Sequence, residues 1–401
     1  MNVTSRSRTR GFSLALGSLI AAVALAACGG SAAPAASTAA SKAPAPSKAP
    51  AASSAPPASS AAPAPASQPA SAAASSPATK PSAGAGGAEH VKVAITSGSL
   101  TGAGVYIALE RGYFKQVGLD VEIVPFPGGA QMISSIAASQ VDVADTDTGA
   151  GVFNAISRNL PMRFVADGSR CDAKRCGTSF VVRKDIMDAG KFKDLKDLKG
   201  LKVNNFTTGS TLYQFLARML DKAGLKPSDL KEASIPGFAD VMTAFGNKGI
   251  DASWMIEPLT TAGVAKGLFE RYKTATELFG PWQNTVIVYA PNFATQHQQA
   301  GQKFMVGYVR GLRDYLDAMD SGKDYDAIIG ILTKDSSLKD AALYKKVGLP
   351  GFDANGEVLI EAVKSAQQWY VEHGDVKTPV DLDKVYDPSF LQHAWSVAGK
   401  R

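Results

Sequence analysis

Residues 91–148 read VKVAITSGSLTGAGVYIALERGYFKQVGLDVEIVPFPGGAQMISSIAASQVDVADTDT, and their patterning predicts strand, helix, strand, helix, strand with little slack between elements. VKVAIT (Val91–Thr96) is short, β-branched and almost continuously apolar, as expected of a strand covered on both faces. A Ser/Gly-rich turn leads into GSLTGAGVYIALERG, where Val105, Ile107, Ala108 and Leu109 form a wide helical face that stops at Gly112. DVEIVPF (Asp120–Phe126) predicts the second strand, GGAQMISSIAASQ the second helix and VDVADT the third strand. Strands alternating with helices of about ten residues imply a parallel sheet with right-handed crossovers. In such a sheet the loops at the carboxyl ends of the strands gather on one edge, where ligands bind. Here those loops are Thr96–Thr101 and Asp145–Gly149, both rich in hydroxyls and glycine.

IALERGYFKQVGLDVEIVPFPGG, followed by IAASQVDVADTDTG, resembles the opening of the solute-binding proteins of ABC importers, in the branch serving nitrate, sulfonates, taurine and thiamine pyrimidine precursors. The likeness continues through DLKDLKGLKVNNFTTGSTLYQFLARMLDKAGLKPSDL and GIDASWMIEP, and covers most of Glu89 to about Asp320. It implies an α/β chain with the two-lobe type II periplasmic-binding-protein fold, each lobe a mainly parallel sheet flanked by helices, joined by two hinge crossings. Two lobes joined in this way can close over a solute. The partners it implies are one small-molecule ligand, an ABC permease and its cytoplasmic ATPase. The chain is expected to be a monomer without cofactor or metal.

Arg6, Arg8 and Arg10 precede an apolar run from Phe12 to Ala27, 16 residues. That is shorter than the ~20 a spanning helix needs, and a charged start, apolar middle and small-residue end describe an export signal over residues 1–27. Leu25-Ala26-Ala27-Cys28 resembles the bacterial lipobox, which implies a lipid on the Cys28 sulfur and attachment to a membrane. The alternative is that Cys28 merely follows an ordinary cleavage site. Residues 29–88 contain only Gly, Ser, Ala, Pro, Thr, Lys and Gln. Without large apolar side chains they cannot bury enough surface to offset ordering entropy. They are expected to form a tether spanning roughly 40 Å root mean square.

The net charge of +6 resides entirely in this leader and tether: six bases precede Glu89 and no acid does, so residues 89–401 balance 36 against 36. A neutral folded part gives no support to nucleic-acid binding, which needs a basic face on the domain itself. Residues 89–401 number 313, more than one core usually holds, and predict two lobes. The first is expected to take 89–182 with 291–401, and the second 183–290.

Cys171 and Cys176 in GSRCDAKRCGTS are a close pair, which in an exported protein oxidises to a disulfide. A metal site is the alternative, but no histidine lies near and two ligands are too few. Arg170, Lys174 and Arg175 around them read as a solvated loop, with Arg170 able to enter a cleft.

In the second lobe KVNNF (Lys202–Phe206) predicts a strand, and TTGSTLYQFLARMLDKAG a helix that buries Leu212, Phe215, Leu216, Met219 and Leu220. Its entrance offers Thr208, Gly209, Ser210 and Thr211, where unpaired N–H groups and the macrodipole can hold an oxyanion or a polar edge. Equally, Ser210 or Thr211 can simply cap the helix. EASIPG and IDASWMIEP predict strands, the latter ending with Trp254 and Glu257, which the family resemblance places at the cleft. There an indole can cover a ligand and a carboxylate can accept from an amine or amide. Core packing for Trp254 and a surface salt bridge for Glu257 are the plainer readings. From the first lobe the candidates are Ser99, Thr101, Thr146, Asp147 and Thr148, with Asp147 also a candidate N-cap for a helix beginning at Thr148.

No G-x-S-x-G elbow, H-E-x-x-H helix or G-x-x-x-x-G-K loop is present, and His90, His297, His373 and His393 are scattered. No catalytic residue is expected; a pyrimidine synthase of a related branch depends on a cysteine-rich motif that this chain lacks. A lipid-tethered sensor or adhesion module is the alternative of another class. The hydroxyls and helix starts favour a small anion such as a sulfonate or carboxylate, taurine or nitrate, with a pyrimidine thiamine precursor or an aromatic acid as the alternative. Asp147 and Glu257 favour a ligand with N–H donors, such as a pyrimidine.

Overall fold

Ten strands make two five-stranded sheets in the computed structural model, which describes residues 87–401. The export leader, Cys28 and the tether as far as residue 86 lie outside the described residues. In chain order the first sheet takes β1 (Glu89–Thr96), β2 (Leu119–Phe126), β3 (Val143–Asp147) and β4 (Arg163–Cys171). The second takes β5 (Thr178–Arg183), β6 (Lys202–Asn204), β7 (Lys231–Ala233), β8 (Ala252–Ile256) and β9 (Phe269–Thr274). The chain then returns to the first sheet with β10 (Trp282–Tyr289).

The sheet orders are β2-β1-β3-β10-β4 and β7-β6-β8-β5-β9. In each, four strands run one way and one is reversed: β10 is antiparallel to β3 and β4, and β5 to β8 and β9. The reversed strand is in both cases the one delivered by a crossing. A chain leaving one sheet at its carboxyl edge reaches the other sheet at the corresponding edge, and from there it can only run inward, against its neighbours. The register agrees, since Thr178 at the start of β5 pairs Ile256 at the end of β8, and Trp282 at the start of β10 pairs Cys171 at the end of β4.

This pairing moves the lobe boundaries. The crossings lie between Cys171 and Thr178 and between Thr274 and Trp282, not at 182/183 and 290/291. SFVVR and TVIVY are apolar along their length, so the point at which the chain changes sheet is decided by hydrogen-bond partners that composition does not display.

The first crossing is clamped by the Cys171–Cys176 disulfide, S–S 2.03 Å. The long Gln298–Ser321 helix packs against the Ala103–Glu110 helix, where Gly104 and Gly311 meet backbone to backbone: a Cβ at Gly311 would collide with the Gly104 carbonyl. The Tyr308 hydroxyl on that helix donates to the Asp167 carbonyl at 2.6 Å, which ties the carboxy-terminal helices to the first sheet. No described helix is long and apolar enough to cross a membrane.

Candidate functional site

The carboxyl edges of both sheets face one cleft of about 620 Å³, including its open mouth. The first lobe contributes Thr96, Ser99, Thr101 and Asp147, with Asn284 and Thr285 from the amino end of β10. The second contributes Phe206, Ser210, Thr211, Leu212, Phe238 and Ile256. One wall is thus mainly hydroxyls and the other largely apolar, with Phe206 and Phe238 ring centroids 5.4 Å apart.

Three helix starts at this cleft have leading N–H groups engaged by the protein itself, whereas the starts of the Gly129–Ala137 and Phe238–Gly246 helices, which also line it, carry no side-chain cap. Ser99 Oγ accepts from Thr101 N at 3.1 Å and donates to Thr101 Oγ1. The Thr211–Ala223 helix is capped by Ser210, whose Oγ accepts from Tyr213 N at 3.2 Å. Its Thr211 N–H donates to Asp147 Oδ2, across the cleft, at 3.2 Å. Asp147 therefore does not cap the helix next to it. That helix begins at Ala150, and the Ala150 N–H donates to the Gly209 carbonyl of the other lobe at 2.7 Å. Gly209 holds φ +80°, a conformation glycine adopts without strain, and so turns its carbonyl toward Ala150. Burial pushes the Asp147 carboxyl above its ordinary range, while the bonds from Thr211 pull it back down.

Other candidates support the cleft from behind. Thr146 is buried and donates to the Gly129 carbonyl at 3.2 Å, and Thr148 is buried and donates to the Gln283 carbonyl at 3.2 Å. Thr208 is exposed and outside the lining, displaced by the turn that Gly209 makes. Trp254 is fully buried among Phe180, Phe215 and Phe279, because its position on β8 directs it into the second lobe's core; Ile256 reaches the cleft instead.

Glu257 is also placed elsewhere, and neither as a ligand contact nor as a surface pair. It is buried, ion-paired with Arg271, and accepts from Thr261 N at 3.0 Å and Gly348 N at 3.2 Å. Its own carbonyl accepts from Leu100 N of the first lobe at 3.3 Å, so this residue fastens the lobes together. Burial raises its pKa, against Arg271 and the N–H groups of Thr261 and Gly348. Arg170 does not enter the cleft; it pairs with Asp167 and Asp353. Arg175 pairs with Asp320.

Beneath the floor lies Asp145, 1% exposed, with no hydrogen-bond partner of regular geometry for either carboxylate oxygen. Burial pushes it up to about 6; the nearby Thr285 and Thr101 hydroxyls oppose the rise and Asp167 adds to it.

The sequence reading missed Phe206, Phe238, Asn284 and Thr285. The first two sit just past β6 and β7, where the carboxyl-edge rule, carried into the second lobe, points to them. The last two sit at the amino end of a reversed strand, which that rule does not cover.

A family model described as NMT1/THI5 like matches residues 101–319. YtlA of Bacillus subtilis strain 168 is 24% identical over 216 residues, 53% of this chain, and the chain spans 62% of that relative's length. The periplasmic aliphatic sulphonate binding protein SsuA from Escherichia coli has TM-score 0.59 at 20% identity, covering 76% of this chain and 99% of its own. The periplasmic nitrate-binding protein NrtA from Synechocystis PCC 6803 has TM-score 0.62 at 15% identity, covering 77% of this chain and 88% of its own. The two sheets with their flanking helices are thus the α/β fold of the periplasmic binding proteins.

Proposed function

The chain belongs to the NMT1/THI5-like family, and from that premise we propose that it is the extracytoplasmic solute-binding component of an ABC importer. It takes one small polar organic molecule between its lobes and closes over it by bending at the two crossings. The observation that carries this reading is the cleft itself: both carboxyl edges line it, only two crossings join the sheets, and hydrogen bonds such as Asp147 to Thr211 span it. Closure of that kind is reversible and leaves no covalent intermediate.

The partners are a permease and its cytoplasmic ATPase, which recognise the closed lobes. Lipid on Cys28 holds the receptor at the membrane, and the sixty-residue tether lets it reach the permease. SsuA is an aliphatic sulphonate binding protein and NrtA a nitrate-binding protein, and the hydroxyl wall is compatible with such anions. A pyrimidine is compatible with Asp147.

Calorimetric and thermal-shift screening of the full chain tests the receptor reading, against alkanesulfonates, taurine, nitrate, pyrimidines, aromatic acids and aromatic amines. A bound solute raises the melting temperature and shrinks the radius of gyration in solution scattering. Turnover of any of these compounds argues for an enzyme instead. Silence from every class, with no closure, removes the reading.

A further inference from the structure

The charges around the cleft are of one sign. Asp147 lines its interior, and Asp240 and Asp335 line the groove that continues from it past Phe238. Neither the cleft nor this groove is lined by any Lys, Arg or His among the described residues. Asp335 Oδ2 is buried without a hydrogen-bond partner, and Asp145 stands unpartnered under Thr101 and Thr285, two residues of the floor. An entering anion would thus meet three lining carboxylates, and a fourth behind them, with no cation to offset them. Of the helix starts that could compensate, three already hold Asp147, Ser210, Ser99 and the Gly209 carbonyl, and the uncapped start at Gly129 lies against Asp147, whose Oδ1 would be 2.7 Å from a Cβ at Gly129.

A cation meets the opposite conditions. Asp147 uses Oδ2 toward Thr211, and Oδ1 accepts no hydrogen bond among the described residues. The opposite wall offers the rings of Phe206 and Phe238, packed against each other, beside Leu212, Pro236 and Ile256. An aromatic face and a carboxylate together suit a positively charged nitrogen on an apolar body.

Resting on the receptor reading, we propose that the solute is an organic cation, an alkyl- or arylammonium or an amidinium, and that Asp147 is its counter-ion. The aromatic pair of the second lobe covers its apolar part. The hydroxyls of Ser99, Thr101 and Thr285 fix its orientation, and they discriminate little by charge.

The test uses charge-varied isosteres on the full chain: benzylamine and benzamidine, neutral benzyl alcohol, and phenylmethanesulfonate, followed by calorimetry. The amines are expected to bind at least about tenfold tighter than the alcohol, a difference of about 1.4 kcal/mol, with no heat from the sulfonate. Asp147→Asn is expected to lose most of that preference, the ratio of amine to alcohol affinity falling from about tenfold toward one. The isostere series on the unmodified chain decides the matter even if Asp147→Asn fails to fold. Tighter binding of the sulfonate, or amine affinity unchanged in a folded Asp147→Asn, overturns this proposal and leaves the receptor reading standing. Absence of binding by all four probes also overturns it. The receptor reading falls only if the broader screen is silent as well.

Discussion

Asp147, the last residue of β3, accepts the Thr211 N–H at the first turn of a helix in the opposite lobe, at 3.2 Å. A carboxylate at a helix N-terminus gains from the macrodipole as well as the hydrogen bond. Thr211→Pro removes the N–H at a position where proline fits a helix, and Ser210 already has the extended backbone proline requires before it. Thr211→Pro and Asp147→Asn are each expected to cost about 1 kcal/mol and to enlarge the radius of gyration. The double variant is expected to cost no more than the worse single change, which urea unfolding in a double-mutant cycle reads directly.

Glu257 is buried against Arg271 and two backbone N–H groups. Glu257→Ala leaves the two N–H groups without their acceptor while Arg271 keeps Thr261 Oγ1, and is expected to cost on the order of 1–3 kcal/mol. Chemical denaturation measures this, and an effect below about 1 kcal/mol would mean that the pair behaves as an exposed one.

Asp145 carries the pH dependence. Its folded pKa is about 6, against about 4 when unfolded. Between those values the folded chain holds a proton that the unfolded chain has released, so raising the pH through the window favours unfolding. Relative to Asp145→Asn, which does not titrate, the wild-type chain is expected to lose on the order of 2 kcal/mol between pH 4 and about 6.5. Unfolding curves across that range test the sign, and a flat difference refutes it. Asp167, also held near 6 by burial against the pull of Arg170, moves in the same direction and is present in both chains.

Cys171 and Cys176 close a short loop at the first crossing. Replacing both by serine is expected to cost roughly 2 kcal/mol by loop-closure entropy. Solute-induced compaction, read by scattering, is expected to survive, since the backbone of both crossings still joins the lobes. Alkylation without reductant is expected to leave both cysteines unlabelled.

The elements of the first lobe were legible because each carries its own period. VKVAIT, DVEIVPF and VDVADT could be little but strands, and they appear as β1, β2 and β3 within two residues at each end. Five of the eleven candidate residues, Ser99, Thr101, Asp147, Ser210 and Thr211, line the cleft. Those five lie at or just beyond the carboxyl ends of strands β1, β3 and β6, where position along the chain fixes position in the fold. Trp254 was misplaced because it lies two residues inside the end of β8, within the sheet and short of its carboxyl edge, and Glu257 because its partners Arg271, Thr261 and Gly348 come from other segments.

By itself the sequence determined an α/β chain of two lobes with a hydroxyl-rich edge, since hydrophobic period, glycine stops and polar loops are local properties. Only the tertiary structure decided where along the chain the two sheets change over, that the helix starts at Ala150 and Thr211 are filled from within, and that the cleft lacks a basic side chain among its described residues. Those depend on which distant segments meet. Asp147 and Thr211 are 64 positions apart in the chain, and nothing in either neighbourhood records the other.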